Sequence, residues 1–436
     1  MPPVAALGLA ALVGCASPTA PPGASAATTS PARAASGRCA PTDLEAADRV
    51  RIGATAPLSA PGSVVAGLAM KAAMEIAARH VNADGGVRGK PIELVFFDTA
   101  GLPEQGTAGM ERLITQDCVV GVVGEYHSAV ALTMKDVAHK YHVPVVFAEP
   151  WNDDVTGTQL PEIFRIAPTS TMVSEANAKY IRDVGLTSVA IVAEATDYGL
   201  PAAAITQRLL AEAGIASVVF RAEIGTTDWE PVIARLLAYT RPPGAVLTLV
   251  TGEASYDFEA QASESGLMPS ADTLCIAMQE AVNAEFWDNV PGGNYCVFQK
   301  VGLVPSMAGD ATRRFEAAYR AAYGRFPESY ALEAYDSVLL LADAIGRAGT
   351  LAPDAVIAAL EATDFTGAQG RYRFPYGQDH PVPEGEPAWM WHQWPDPAIL
   401  FLQYFEPRQS PDDAAVVWPE ARQTHGTFLI PYGGRP

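Results

Sequence analysis

The sequence predicts an α/β protein with two similar lobes, each built on a parallel sheet with helices on both faces. Its 436 residues are too many for one hydrophobic core, which favours two lobes. Apolar residues make up 49% of the chain and charged residues 18%, a composition typical of globular proteins. From Arg49 onward, strand and helix patterns alternate, and this alternation indicates β-α-β units.

The first series of elements begins with a strand at 50–56 and an amphipathic helix at 67–83. That helix ends at Asp84-Gly85-Gly86, because glycine readily adopts the backbone conformation that stops a helix. The remaining elements are strands at 91–97, 119–123 and 143–148, and helices at 106–115 and 128–141.

A second series follows Pro168. Its helices are predicted at 170–184, 201–213, 229–239 and 255–265, and its strands at 188–193, 216–224, 245–250 and 273–278. Three further helices, at 311–323, 329–346 and 353–362, indicate that the chain returns to the first lobe. The tail, with short strands at 388–392 and 399–405, is expected to cover the second. We therefore assign 49–168 plus 302–364 to lobe 1 and 169–301 plus 365–436 to lobe 2, joined by a hinge of crossing segments.

The N-terminus carries features of export. Residues 1–15 contain an apolar run too short to span a bilayer, which ends at Leu12-Val13-Gly14-Cys15. This ending resembles a bacterial lipobox and predicts lipidation at Cys15, although an ordinary apolar N-terminus is the alternative. Residues 16–48, which begin rich in Ala, Pro, Ser and Thr, are predicted to be a flexible tether.

Four cysteines remain after Cys15, namely Cys39, Cys118, Cys275 and Cys296. An even number in an exported chain favours disulfides, and their spacing matches no zinc motif. Of the three possible pairings, we favour Cys39 with Cys118 and Cys275 with Cys296, because each pair lies near neighbouring predicted strands. Buried free thiols are the alternative.

Charge and motifs argue against several functions. A net charge of -20 disfavours binding to nucleic-acid phosphates or to an anionic membrane surface. The sequence has no nucleophile elbow, phosphate-binding loop, dinucleotide fingerprint or zinc-protease motif. Its seven histidines lack metal-ligand spacing, and we interpret His139 and His142 as surface residues. We therefore predict a protein without cofactor or metal that is not an enzyme.

Several runs resemble the leucine/isoleucine/valine-binding proteins of ABC importers. They are residues 52–59 (IGATAPLS), 81–94 (VNADGGVRGKPIEL) and 197–199 (DYG), within a resemblance that covers about 49–370. The resemblance implies the type I periplasmic-binding-protein fold, in which two Rossmann-like lobes are joined by three crossing segments and trap a ligand between them.

In the first lobe, ligand contacts are expected in the loops that follow the carboxyl ends of strands. Ser128, close to Tyr126, matches the family's carboxylate-binding serine, and a plain helix cap is the alternative. The next such loop contains Glu149 and Trp151. Trp151 stands where the family has a hydroxyl, which favours a flat apolar or cationic ligand group, and packing at the lobe rim is the alternative.

The second lobe is expected to supply three further contacts. Tyr198 matches the family's pocket tyrosine, and Thr251 lies in a loop that should line the cleft. Glu280 matches the glutamate that binds the ligand's ammonium in the family. A solvated loop glutamate is the alternative for Glu280.

These inferences predict a lipid-anchored, extracytoplasmic substrate-binding protein of an ABC importer. It would capture an amino acid, amide or urea-type ligand by hinge closure and deliver it to permease subunits. We expect a monomer that touches the membrane only through its anchor. A ligand-sensing receptor of the same fold is the main alternative, and a scaffold with an inactive pocket is another.

Overall fold

A computed structural model describes residues 37–434 of the chain. The predicted signal segment 1–15, its lipidated Cys15 and the tether up to residue 36 lie outside the described residues. Within 37–434, no helix is both long enough and apolar enough to cross a membrane.

The first lobe is built on a five-stranded parallel sheet in the order β2-β1-β3-β4-β5. Its elements are α1 Pro41–Ala46, β1 Val50–Ala56, α2 Val64–Ala83, β2 Ile92–Asp98, α3 Pro103–Thr115, β3 Val122–Gly124, α4 Ser128–Tyr141, β4 Val145–Phe147, α5 Asp154–Gly157 and β5 Ile163–Arg165. The central strands are buried on both faces, as expected for a parallel sheet covered by helices.

The second lobe begins after the first crossing of the chain. Its elements are α6 Ser170–Val184, β6 Ser188–Glu194, α7 Gly199–Glu212, β7 Ala216–Ala222, α8 Glu230–Leu237, β8 Ala245–Leu249, α9 Glu253–Glu264, β9 Leu274–Ala277, α10 Phe286–Asn289 and β10 Val297–Val301. The five strands of this run are parallel. The start of α6 is capped by Thr169, whose hydroxyl accepts a hydrogen bond from the N–H of Met172 at 3.0 Å.

Three late helices pack with the elements of the first lobe. They are α11 Asp310–Tyr323, α12 Ser329–Ala348 and α13 Pro353–Glu361. Leu341 of α12 lies in one apolar core with Met70 of α2 and Ile52 of β1. This helix is buried on most sides because it packs against both α2 and the sheet.

The segment 365–394 corrects the predicted lobe assignment. It contains the hairpin of β11 Phe365–Thr366 and β12 Arg371–Tyr372, and it packs against the first lobe, not the second. His392 stacks on Phe164 with ring centroids 4.0 Å apart, and the N–H of Arg165 donates to the carbonyl of His392 at 3.0 Å. Part of the strand predicted at 388–392 is a 3-10 turn over Ala388–Met390.

The chain then crosses to the second lobe for the last time. β13 Ile399–Gln403 and β14 Ala415–Trp418 add two antiparallel strands beside β10, which gives the order β14-β13-β10-β9-β8-β6-β7. The chain thus passes between the lobes three times, after β5, after β10 and before β13.

The predicted tether is wrong from Gly37 onward. Cys39 is bonded to Cys118, and Leu44 of α1 lies in the apolar core of the first lobe. The Glu45 carboxylate accepts a hydrogen bond from the N–H of Leu351 at 2.7 Å. A disulfide, a core side chain and a partly buried hydrogen bond therefore hold residues 37–48 on the first lobe.

Both disulfides have the predicted pairing, Cys39 with Cys118 and Cys275 with Cys296. They span 79 and 21 residues. Since a longer closed loop restricts the unfolded chain more, we expect removal of the first bond to cost about 1 kcal/mol more than removal of the second. Urea unfolding of the two paired Cys→Ser variants measures this difference. Equal losses, or a larger loss for the Cys275–Cys296 variant, would contradict it.

Candidate ligand-binding site

A narrow cavity with about 30 Å³ of free space lies between the lobes, at the carboxyl ends of the parallel strands. The first lobe lines it with Tyr126, His127, Ser128, Glu149 and Trp151, and the second with Tyr198, Val250, Thr251, Met278, Gln279 and Glu280. The structure thus brings all seven sequence-predicted site residues into one cavity. Their contact with a ligand stays a prediction.

A sharp turn from β3 to α4 forms one wall. Gly124 and Glu125 both have positive φ, 98° and 64°. A Cβ atom on Gly124 would lie 2.3 Å from the carbonyl oxygen of Thr55, so only glycine fits there. The turn places Tyr126 and Ser128 at the cavity.

Ser128 is the first residue of α4, and His127 is the N-cap. The Ser128 hydroxyl oxygen accepts a hydrogen bond from the N–H of Asn152 at 3.1 Å. Its own hydrogen is left to donate, and the first N–H groups of a helix also favour a negative or carbonyl oxygen. This corner of the cavity can therefore bind an acceptor, and the plain-cap alternative is wrong.

Trp151 is held by a buried arginine. The Arg165 guanidinium donates to the carbonyl oxygens of Pro150 at 3.2 Å and Asn152 at 2.6 Å, on either side of the tryptophan. The indole meets the Tyr198 ring edge-on, with centroids 5.8 Å apart. Trp151 is 4% exposed and lines the cavity, so it forms part of the wall and does not pack at an exposed rim.

Glu280 joins the two lobes. Its Oε1 atom accepts hydrogen bonds from the Tyr126 hydroxyl at 2.9 Å and the Gly252 N–H at 3.2 Å. Its Oε2 atom has no partner among the described residues. Burial raises the pKa of this carboxyl to about 7, against the opposing effect of those hydrogen bonds. Glu280 is only 3% exposed, so the solvated-loop alternative is wrong.

Glu149 forms a second link between the lobes. Its Oε1 atom accepts from the Gln279 side-chain amide, and its carboxyl group shares a further hydrogen bond with the buried carboxyl group of Glu333. Burial raises the pKa of Glu149 to about 7, and the negative charge of Glu280 adds to that shift. Burial lowers the pKa of His127 to about 4, so this imidazole is neutral at pH 7.

Thr251 lines the cavity as predicted, but its polar groups form hydrogen bonds within its own lobe. Its hydroxyl and its N–H donate to one oxygen of Glu194, at 2.8 and 2.9 Å. These bonds order the loop after β8 and engage the hydroxyl. The next residue, Gly252, has φ of 65°, and a Cβ there would lie 3.0 Å from the Ser63 side chain. Glycine thus permits the lobes to approach closely here.

Sequence reasoning missed four residues that line the cavity, namely His127, Val250, Met278 and Gln279. Each lies within two residues of a predicted site residue in a loop that follows a strand, and this position could have indicated them. His139 and His142 instead bind Glu162, at 2.9 and 2.5 Å. Over residues 37–434, no group of three His, Cys, Asp or Glu side chains has the geometry for a metal ion.

Two parallel-sheet lobes, three crossing segments and a small cavity at the strand ends define a two-lobed binding protein. Residues 49–385 match the family model described as Periplasmic binding protein, and the chain belongs to this family. Membership indicates a location outside the cytoplasm.

Comparison with individual proteins agrees with this family. The chain is similar to the Leu/Ile/Val-binding protein homolog 7 of Brucella abortus, with 26% identity over 84% of this chain and 92% of that one. The branched-chain amino acid transporter substrate binding protein LivJ of Streptococcus pneumoniae, solved with isoleucine, gives a TM-score of 0.72 at 20% identity and covers 85% of this chain and 100% of its own.

A benzoate-bound solute binding protein of an R. palustris ABC transporter gives a TM-score of 0.70 at 17% identity, over 82% of this chain and 93% of its own. At these identities the structural likeness shows the fold. The predicted family resemblance and the type I periplasmic-binding-protein fold are confirmed. These relatives are named as binding proteins, not as enzymes.

Proposed function

We propose that this protein captures a small polar solute by closing its two lobes around it and delivers the solute to an ABC importer. The observation that carries the proposal is the cavity between the lobes, to which both lobes contribute polar and aromatic side chains. Ligands of open parallel sheets bind at this end of the strands. Capture requires no covalent chemistry.

Hinge closure is supported by hydrogen bonds that run between the lobes beside the cavity. Tyr126 donates to Glu280 at 2.9 Å, and the N–H of Val65 donates to the Glu253 carboxylate at 3.1 Å. Opening the lobes about the three crossing segments would break both bonds. A ligand favours the closed form only by the difference between its affinities for the closed and open forms. Contacts with both walls supply such a difference.

The walls favour a ligand with polar groups at separate positions. Ser128 and the start of α4 would bind a carboxylate or carbonyl oxygen, while Glu280 would bind an ammonium or other N–H group. A buried carboxylate is costly without a positively charged or hydrogen-bonded partner, and a bound nitrogen supplies one. Trp151 and Tyr198 would enclose the rest of the ligand.

The delivery partner is inferred from relatives. The Streptococcus pneumoniae and R. palustris proteins are named as binding proteins of transporters, which supports permease subunits as the partner here. The lipobox-like run ending at Cys15 supports a lipid anchor. The body would then act as a monomer beside the membrane. Palmitate labelling of the full chain, lost in Cys15→Ser, tests the anchor.

A thermal-shift screen of amino acids, amides, diamines and urea tests capture. We expect one class to raise the melting temperature by a few degrees, because a ligand that binds only the folded state stabilises it. Calorimetry should then show that Ser128→Ala weakens binding by about tenfold, the effect of one good hydrogen bond. The control is Ser337→Ala, at a buried serine of α12 outside the cavity. Absence of any stabilising solute, or parent-like affinity in Ser128→Ala, would contradict the proposal.

A further inference from the structure

We propose that the captured solute is a small organic cation with a nitrogen donor at each of two ends, one facing Glu149 and the other Glu280. This inference rests on the proposed capture of a solute in the cavity between the lobes. It extends that function by naming a ligand class that differs from a branched-chain amino acid, which has a single ammonium group.

The first observation is a pair of buried carboxyl groups on opposite walls of the cavity. Glu149 follows β4 in the first lobe, and Glu280 follows β9 in the second. Each is 3% exposed and lines the cavity. Each uses one oxygen for a hydrogen bond to the opposite lobe, with Gln279 and Tyr126 as the donors. The second oxygen of Glu280 has no partner in the described part of the chain, whereas the Glu149 carboxyl group shares a hydrogen bond with the Glu333 carboxyl group, a pair that holds one negative charge when a single proton is shared.

The second observation is the charge around these carboxyl groups. None of the described residues that line the cavity is a lysine or an arginine, and its histidine is neutral at pH 7. The buried neighbours are also acids, with Glu333 against Glu149, and Glu194 and Glu259 near Glu280. The protein thus provides no positive charge at the cavity, so two charged carboxylates there require it from a ligand.

A ligand with a single ammonium brings one positive charge, which cannot balance both Glu280 and the Glu149–Glu333 pair when each is charged. The other negative charge would stay buried without a positive partner, which disfavours closure. A molecule with nitrogen at both ends, such as an α,ω-diamine or a basic amino acid, satisfies both. The Ser128 corner distinguishes these two sources, because only the amino acid has a carboxylate to place there.

The aromatic walls are consistent with a cation. The rings of Trp151 and Tyr198 meet edge to face, with centroids 5.8 Å apart. Tyr126 belongs to the first lobe, and its hydroxyl donates a hydrogen bond to Glu280 of the second. Aromatic faces attract ammonium and guanidinium groups, and the attraction is stronger when water is excluded. The narrow cavity limits the ligand to a small molecule.

Matched ligand pairs test the inference on the full chain by calorimetry at pH 7.5. Lysine is compared with norleucine, and cadaverine with pentylamine, because each pair differs mainly in the second nitrogen. We expect the two-ended cation to bind at least about tenfold more tightly in at least one pair, since a hydrogen bond to a charged group has an effect of that size. Tighter binding of lysine than cadaverine identifies a basic amino acid, and the reverse order identifies a diamine.

Variants provide a second readout. Glu149→Gln should weaken binding of the preferred two-ended cation by at least about tenfold and binding of its one-ended analogue by less than about threefold. The control is Glu259→Gln, at another buried glutamate with an unpartnered oxygen that does not line the cavity. Burial raises the pKa of Glu259 well above its usual range, and the control replaces this buried carboxyl group by an amide of the same size, as Glu149→Gln does in the cavity.

The outcomes distinguish a failure of the two-ended cation proposal from a failure of the proposed solute capture. Binding of leucine or norleucine that is as tight as that of lysine and cadaverine would overturn the two-ended cation and leave solute capture standing. Binding of no solute from any class would overturn both. The comparison of ligands on the parent protein tests the two-ended cation proposal even if Glu149→Gln does not fold.

Discussion

Glutamine in place of Glu280 is expected to weaken ligand binding by roughly 10- to 100-fold, the effect of one charge-assisted hydrogen bond. In the structure Tyr126 and Gly252 fix one oxygen of Glu280 and leave the other without a partner among residues 37–434. Glutamine can keep both bonds through its carbonyl oxygen. Its NH2 group would then stand where a ligand N–H must approach, so the substitution turns an acceptor into a donor.

The same carboxyl group sets a direction for the pH dependence of binding. Because burial raises the pKa of Glu280 to about 7, the group is largely neutral at pH 5.5 and largely charged at pH 8.5. Only the charged form pairs with a cation, so affinity should rise with pH across this range and level off above it. Glu149, whose pKa burial also raises to about 7, should add to the slope.

Calorimetry of the tightest-binding solute at several pH values between 5.5 and 8.5 tests both the predicted loss of affinity and the predicted rise of affinity with pH. Glu280→Gln should reduce the slope as well as the affinity, whereas Glu259→Gln should retain both. Highest affinity at the acid end, or an unchanged dissociation constant in Glu280→Gln, would remove Glu280 from the ligand contacts.

Methionine in place of Arg165 is expected to lower the free energy of unfolding by about 3–5 kcal/mol, a large effect for one substitution. Arg165 is completely buried. Its guanidinium donates to Gln393 at 2.6 Å, to Thr156 at 3.0 Å and to the two carbonyl oxygens beside Trp151. Methionine would fill much of the volume but leave these buried acceptors without donors.

Urea unfolding of Arg165→Met and the parent measures this loss. Arg208→Met is the matched control, because Arg208 is exposed and pairs with Glu212 on the surface of α7, where we expect a change within about 0.5 kcal/mol. A loss below about 1 kcal/mol in Arg165→Met would show that the four bonds contribute little. Ligand affinity should fall as well, because Arg165 positions the loop that carries Trp151.

The sequence could predict the site because of a property of parallel sheets. Ser128, Trp151, Tyr198 and Glu280 each follow a strand, and the carboxyl ends of parallel strands lie along one edge. Locating the strands therefore located the loops. The pairing of Glu149 with Gln279 could not be predicted in this way, because it depends on how the two lobes face each other.

The two errors of the sequence prediction arose from tertiary contacts. Residues 37–48 begin with a polar, proline-containing run, and long-range contacts such as the bond from Cys39 to Cys118 and the burial of Leu44 hold them on the first lobe. Residues 365–394 have little regular structure. Their aromatic side chains could pack on either lobe as far as local pattern indicates, and the contact of His392 with Phe164 selects the first.

A distance between the lobes tests the central claim most directly. Spin labels at Glu104→Cys, which follows β2 in the first lobe, and Thr227→Cys, which follows β7 in the second, would both be exposed near the cleft edge. With the solute that stabilises the protein most, pulsed electron–electron double resonance should give a shorter and narrower distance distribution than without it. An identical distribution under saturating ligand would contradict capture by closure of the lobes.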